Sequence, residues 1–206
     1  QGNIVPLSEA KIGVMTHAFN YGTAVFEGIR GNWNDDDQTT YLFRLREHFE
    51  RLGQSSKILT LQMHQAVDQL CEIAVELVER SGFTEDVYLR PMVYLSSEQL
   101  GVRLHNLESD TLIFLTPFPA YLPEVARCHT STWRRVQDTG IPPRAKVTGI
   151  YVNSALAKSE ANANGFDEAI MLNENGHASE GSGENKSMVR DGRLLTPTPA
   201  DDVLER

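Results

Sequence analysis

Cysteine is scarce. The 206-residue chain holds two, Cys71 and Cys128. Without CxxC spacing they build neither a disulfide framework nor a zinc site, and they read as reduced thiols of a cytoplasmic protein. Positive charge is also in short supply: 19 Lys and Arg stand against 28 Asp and Glu, a net charge of −9. Such an acidic chain is a poor partner for nucleic acid. A small anion can still be met by a few placed arginines. No run of about 18 or more apolar residues occurs, so no helix is expected to span a membrane. The opening "QGNIVPLSEA" has no basic stretch followed by an apolar one, so no signal peptide is visible. GxGxxG, GxxxxGKS/T and HExxH are all missing. "EGSGE" (180–184) is not the GxSxG of a hydrolase.

What is present suffices for a core. Hydrophobic residues make up 40% of the chain, and the length fits one or two domains. "LFRLREHFERLGQSSKI" (42–58) sets Leu45, Phe49 and Leu52 on one helical stripe. A second helix is predicted over about 63–80, with Val67, Leu70, Ala74 and Leu77 as its stripe and Gly82 as its stop. "DVYLRPMVYL" (86–95) alternates as a strand, and Pro91 predicts an edge or a bulge there. "TLIFLTPF" (111–118) is a more uniformly apolar strand.

Three prolines in "PFPAYLPE" (117–124) suggest a stiff connection, so the domains are drawn at 1–118 and 128–206 with a linker at 119–127. "NSALAKSEANANG" (153–165) reads as a helix capped by Asn153 or Ser154 and stopped by Gly165. Asn175-Gly176 and Asp191-Gly192 mark two tight hairpins. The fold class is therefore α/β or α+β in two domains. Both ends look cut: there is no initiator Met, and "PADDVLER" reads as the start of a helix capped by Asp201 or Asp202.

Several polar residues sit in apolar or glycine-rich settings: Lys146 in "AKVTG", Tyr151 closing "TGIY", Glu180 opening "EGSGEN", Arg51 on the first helix, and Arg90 near Tyr88. Each has a bland reading as a solvated side chain. Taken together, "HAFNYGTAVFEGIR" (17–30), "LFRLREHFERLGQSSKI" (42–58), "VYLRPMVY" (87–94), "RAKVTGIYVNSALAKSEANANGFDEAIML" (144–172) and "GHASEGSGENKSMVRDGRLLTP" (176–197) resemble, in order and spacing, the branched-chain aminotransferases. These are pyridoxal-phosphate enzymes of fold type IV. The resemblance implies a small N-terminal α/β domain and a larger C-terminal pseudo-barrel, here incomplete.

The resemblance also implies roles. Lys146 would form the Schiff base with pyridoxal 5'-phosphate, and an apolar pocket would favour its neutral, nucleophilic form. Glu180 would pair with the pyridine nitrogen, Tyr151 would bond the ring oxygen, and Arg51 would fork onto the phosphate. Tyr88 and Arg90 would meet the substrate carboxylate, with Arg90 also the candidate for the γ-carboxylate of glutamate. Tyr21 and Phe26 would wall the side-chain pocket beside Gly28, with core packing the alternative for Phe26. The implied reaction is amino transfer between leucine, isoleucine or valine and 2-oxoglutarate, in a homodimer or higher homo-oligomer, with no metal. D-amino-acid or (R)-amine transaminases and aminodeoxychorismate lyases share the Lys146 and Glu180 roles, while Tyr88-Leu89-Arg90 favours the branched-chain reading; an inactive truncated scaffold is the alternative of another kind. Two departures stand out. Lys186 and Ser187 replace apolar residues, and "VLER" stops before two loops the family uses to bind phosphate and carboxylate.

Overall fold

A computed structural model of the chain describes residues 3–118 and 122–204. It divides into two compact units, Gln1–Pro119 and Ala120–Arg206. The predicted linker at 119–127 begins in residues outside those described.

After a 3-10 turn at Leu7–Glu9, the first unit has a short helix α1 (His17–Tyr21), ended by Gly22 at φ 65°. Three strands follow, β1 (Ala24–Phe26), β2 (Ile29–Asn34) and β3 (Thr39–Leu42). Then come α2 (Leu45–Ile58) and α3 (Val67–Ser81), and strands β4 (Val87–Leu95) and β5 (Ser109–Pro117). Both helices match their predicted stripes: Phe49, Leu52, Leu70 and Ala74 are buried to 1% exposure or less. Gly82 ends α3 in the left-handed conformation at φ 66°, as expected of a glycine stop. Burying each Leu-sized side chain contributes about 1.5–3 kcal/mol before entropy is counted.

β4 is the sheet's centre, not its edge. It pairs antiparallel with β5 along its whole length, and on its other side with β1 and then β2. β3 lies beyond β2. Val87, Leu89, Pro91, Val93 and Leu95 point to the buried face. Pro91 is tolerated because of where it falls. Its carbonyl accepts from Glu27 N–H at 2.9 Å, so its missing N–H faces the junction where β1 gives way to β2. The expected edge is corrected to a gap in the neighbouring ladder.

In the second unit β6 (Cys128–Arg134) runs parallel to β7 (Glu168–Leu172), and β8 (Ala178–Gly181) pairs antiparallel with β7. The crossover from β6 to β7 carries α4 (Tyr151–Ala163), as parallel strands require. Ala157 and Ala161 of α4 pack on Ala169 and Met171 of β7, with Phe166 at the margin. Small residues there let helix and sheet approach closely. The predicted cap at Asn153 or Ser154 is corrected: α4 begins at Tyr151, continuing a 3-10 turn over Thr148–Ile150 with no side-chain cap. Gly165 follows the helix at φ 79°.

The strands β9 (Met188–Arg190) and β10 (Arg193–Leu195) form a separate exposed hairpin turned at Asp191 and Gly192, both at positive φ. Near the end, Pro199–Asp201 is a single 3-10 turn. Its cap is Thr198, with Asp201 reaching back in a capping box, and Asp202 terminates it at φ 61°. Among the described residues, no helix is long and apolar enough to cross a membrane.

Candidate active site

Lys146 owes its setting to two successive turns. Ala145 N–H donates to Pro142 O at 3.0 Å, and Val147 N–H to Ala145 O at 2.9 Å. The second bond closes a three-residue turn centred on Lys146. Ala145 and Val147 are buried at 1% and 4% exposure while Lys146 between them is half-buried. The chain then winds through the Thr148–Ile150 turn into α4, which brings Tyr151 round to face the lysine. Lys146 Nζ donates to Tyr151 Oη at 2.7 Å. Lys146 is therefore not a solvated surface lysine.

The same small cavity that Lys146 and Tyr151 line is also lined by Glu180 and Arg135. Glu180, on β8, is 7% exposed, and Arg135, just after β6, is 5% exposed. Arg135 Nη2 lies 2.6 Å from Glu180 Oε1. Glu180 Oε2 accepts from Leu204 N–H at 3.2 Å. Sequence reasoning missed Arg135: in "TWRR" nothing separates it from Arg134, which is exposed.

Beneath the loop that follows Glu180 lies a second charged cluster. Glu168, 5% exposed, accepts from Lys158 Nζ at 2.5 Å, from Ala169 N–H at 2.7 Å and from Ser182 N–H at 3.2 Å. Burial alone would raise its pKa, but these donors hold the carboxyl below the ordinary range. Burial, and then the charge of Glu168, push the Glu184 carboxyl up. Gly181 N–H donates to Glu184 O at 2.7 Å, which curls the loop. A Cβ at Gly181 would come within 2.9 Å of Glu184 Oε2 and 3.1 Å of its carbonyl, so "EGSGE" needs its first glycine for close approach. Lys186, one of the two departures from the family pattern, is half-buried, and burial lowers its pKa.

In the first unit, Arg51 is bound to Glu27, a carboxylate with no exposed surface. Arg51 Nε donates to Oε1 and Nη2 to Oε2, each at 2.6 Å, and His48 Nδ1 sits 2.9 Å from Oε2. The one sequence signal for Glu27 is a charge inside the apolar run "AVFEGI". Phe26, Gly28, Tyr88 and Arg90 form one cluster. Arg90 Nη2 donates to Tyr88 Oη at 2.8 Å, and its guanidinium lies 4.2 Å from the Phe26 ring centroid. A Cβ on Gly28 would stand 2.4 Å from Tyr88 Oη, so glycine makes room for that hydroxyl. Tyr21 belongs elsewhere: its ring meets that of His17 at 4.6 Å, tilted by 47°, and its hydroxyl accepts from Gly101 N–H at 3.2 Å. Among the described residues, no group of three or more His, Cys, Asp or Glu could hold a metal.

Residues 24–206 match the family model described as amino-transferase class IV. A probable branched-chain-amino-acid aminotransferase of Aquifex aeolicus is 44% identical over 207 aligned positions, covering 100% of this chain and 67% of that protein. The crystal structure of a branched-chain aminotransferase from Thermoproteus uzoniensis with norvaline superposes with a TM-score of 0.95 at 45% identity, covering 99% of this chain and 68% of that one. That of a branched-chain amino acid aminotransferase from Thermobaculum terrenum, in its PLP-bound holo-form, gives a TM-score of 0.91 at 34% identity, covering 99% of this chain and 67% of that one. The chain thus spans about two thirds of the length of these relatives.

Proposed function

The chain belongs to the class IV amino-transferases, and from that premise we propose that it acts as a pyridoxal-phosphate-dependent branched-chain aminotransferase. It would transfer the amino group of leucine, isoleucine or valine to 2-oxoglutarate, giving the branched-chain 2-oxo acid and glutamate. The observation that carries this reading is the gathering of Lys146, Tyr151, Glu180 and Arg135 around one cavity. The donor set suits the cofactor: an amine, a phenol and a shielded carboxylate are what its carbonyl, its ring oxygen and its ring nitrogen would engage.

When bound, pyridoxal phosphate supplies a carbonyl that takes an amine and a ring that draws electrons from it. Lys146 would hold it through Nζ, and the same nitrogen would move the proton on and off the substrate's Cα. The 2.7 Å bond to Tyr151 aims Nζ, and buried Ala145, Val147 and Ile150 keep water from its flank. Glu180, held by Arg135, would accept the hydrogen of a protonated ring nitrogen. On the first unit, Arg51 would take the phosphate, its guanidinium plane set by Glu27. Tyr88 and Arg90 would take the substrate carboxylate, and Phe26, beside Gly28, would face its apolar side chain. The free thiols Cys71 and Cys128 suit a reducing cytoplasm.

A homodimer is part of this proposal. Val14, Phe19, Leu100 and Val102 are 66–90% exposed on two segments tied together by His17 and Tyr21, and such apolar exposure favours association.

The test is a substrate panel. With pyridoxal phosphate and 2-oxoglutarate supplied, glutamate forms from L-leucine, L-isoleucine and L-valine. Faster turnover of (R)-1-phenylethylamine than of L-leucine overturns the branched-chain assignment.

A further inference from the structure

We propose that Arg135 is a positioning residue that acts on the proposed reaction through Glu180, holding that carboxylate in place in the cavity it shares with Lys146. This rests on the functional reading above. A carboxylate at 7% exposure is costly to keep charged unless a cation and hydrogen bonds compensate it. Arg135 is the cation in contact, at 2.6 Å. Its guanidinium is itself anchored on two further sides: Nη1 donates to Ser154 Oγ on α4 at 3.3 Å, and Nε to Asp202 O at 3.3 Å. Its backbone N–H is bonded to Leu172 O on β7 at 2.9 Å. The backbone is thus tied to a strand and the planar guanidinium to a helix and the 199–204 turn, which orients the carboxylate it grips. The same turn returns Leu204 N–H to the other oxygen of Glu180. Glu180 is thus held at both oxygens, one of them by a permanent charge.

Lysine would keep the charge but not the fork, and methionine would keep the volume but strand the Glu180 charge. The experiment compares R135K, R135M, E180Q and R135M/E180Q, with circular dichroism confirming that each folds. The first readout is the visible absorbance of bound pyridoxal phosphate across pH. Arg135→Met is expected to shift the profile as Glu180→Gln does, Arg135→Lys to shift it less, and the double variant to match E180Q alone. The second readout is melting of the unloaded chain, where removing both partners should cost less than Arg135→Met by itself. An Arg135→Met profile identical to wild type overturns the proposal, as does one whose effect adds to that of E180Q. If wild type takes up no pyridoxal phosphate at Lys146, the functional reading fails, and the role proposed for Arg135 in the reaction fails with it. The melting cycle then still shows whether Arg135 and Glu180 act as one unit, which tells the two failures apart.

Discussion

At the scale of single residues, the chemistry is set by charges kept from water with named partners. Glu27 has no exposed surface and is gripped by Arg51 and His48. Removing Arg51 takes a two-pronged cation from a fully buried carboxylate. Arg51→Met is therefore expected to destabilise the chain by about 3–5 kcal/mol, and Glu27→Gln/Arg51→Met by clearly less. Urea unfolding of wild type, both single variants and the double variant measures this. Lys146 was legible only through the five motifs in register, since on its own it reads as a solvated side chain; the structure sets it between the buried Ala145 and Val147. Arg135 and Glu27 were not legible. An ion pair between residues 45 positions apart, such as Arg135–Glu180, leaves no mark in either local sequence.

At the scale of elements, periodicity served where a helix or strand has one wet face. α2 and α3 announced themselves, and the two hairpins were marked by glycine turns at Gly176 and Gly192. The strands β1 to β3 are short, and β6 reads "CHTSTWR", too polar to signal a strand by pattern. Pro91 misled because the sheet's order, which places it at a break between two neighbours, is a long-range property.

The loop after β8 carries a pH prediction. Burial and the charge of Glu168 raise the Glu184 pKa, so the folded chain holds that proton more tightly than the unfolded one. Its contribution to stability is full in acid, below the ordinary carboxyl value, and is lost as pH rises through the raised value. Glu168 works in the opposite sense, contributing above the ordinary carboxyl value and failing as pH falls through its lowered one. Lys158 and the Gly183 N–H are the other groups facing Glu184. Glu184→Gln is therefore expected to gain melting temperature over wild type as pH rises, with the difference levelling above the raised value. Melting curves across the carboxyl range to mildly alkaline pH check it. A difference that does not change with pH contradicts it.

At the scale of the whole molecule, each unit carries a polar cluster of its own: Arg51 on the buried Glu27 in the first, and Lys146, Tyr151, Glu180 and Arg135 around one cavity in the second. The apolar residues around Val102, itself 90% exposed, predict self-association. Wild type should sediment as a dimer, and Val102→Asp should shift it toward monomer while leaving its circular dichroism unchanged. A monomeric wild type contradicts the dimer. The family was legible because five separated motifs keep their order across the chain, a whole-molecule pattern that no single block carries.

In the proposed reaction, Nζ of Lys146 is the amine that would hold the cofactor. Reduction of the protein with borohydride in the presence of pyridoxal phosphate, followed by peptide mapping by mass spectrometry, locates that amine. One phosphopyridoxyl group is expected, on Lys146, absent from the Lys146→Ala variant. A label on Lys158 or Lys186 instead, or no label on a folded protein, contradicts it.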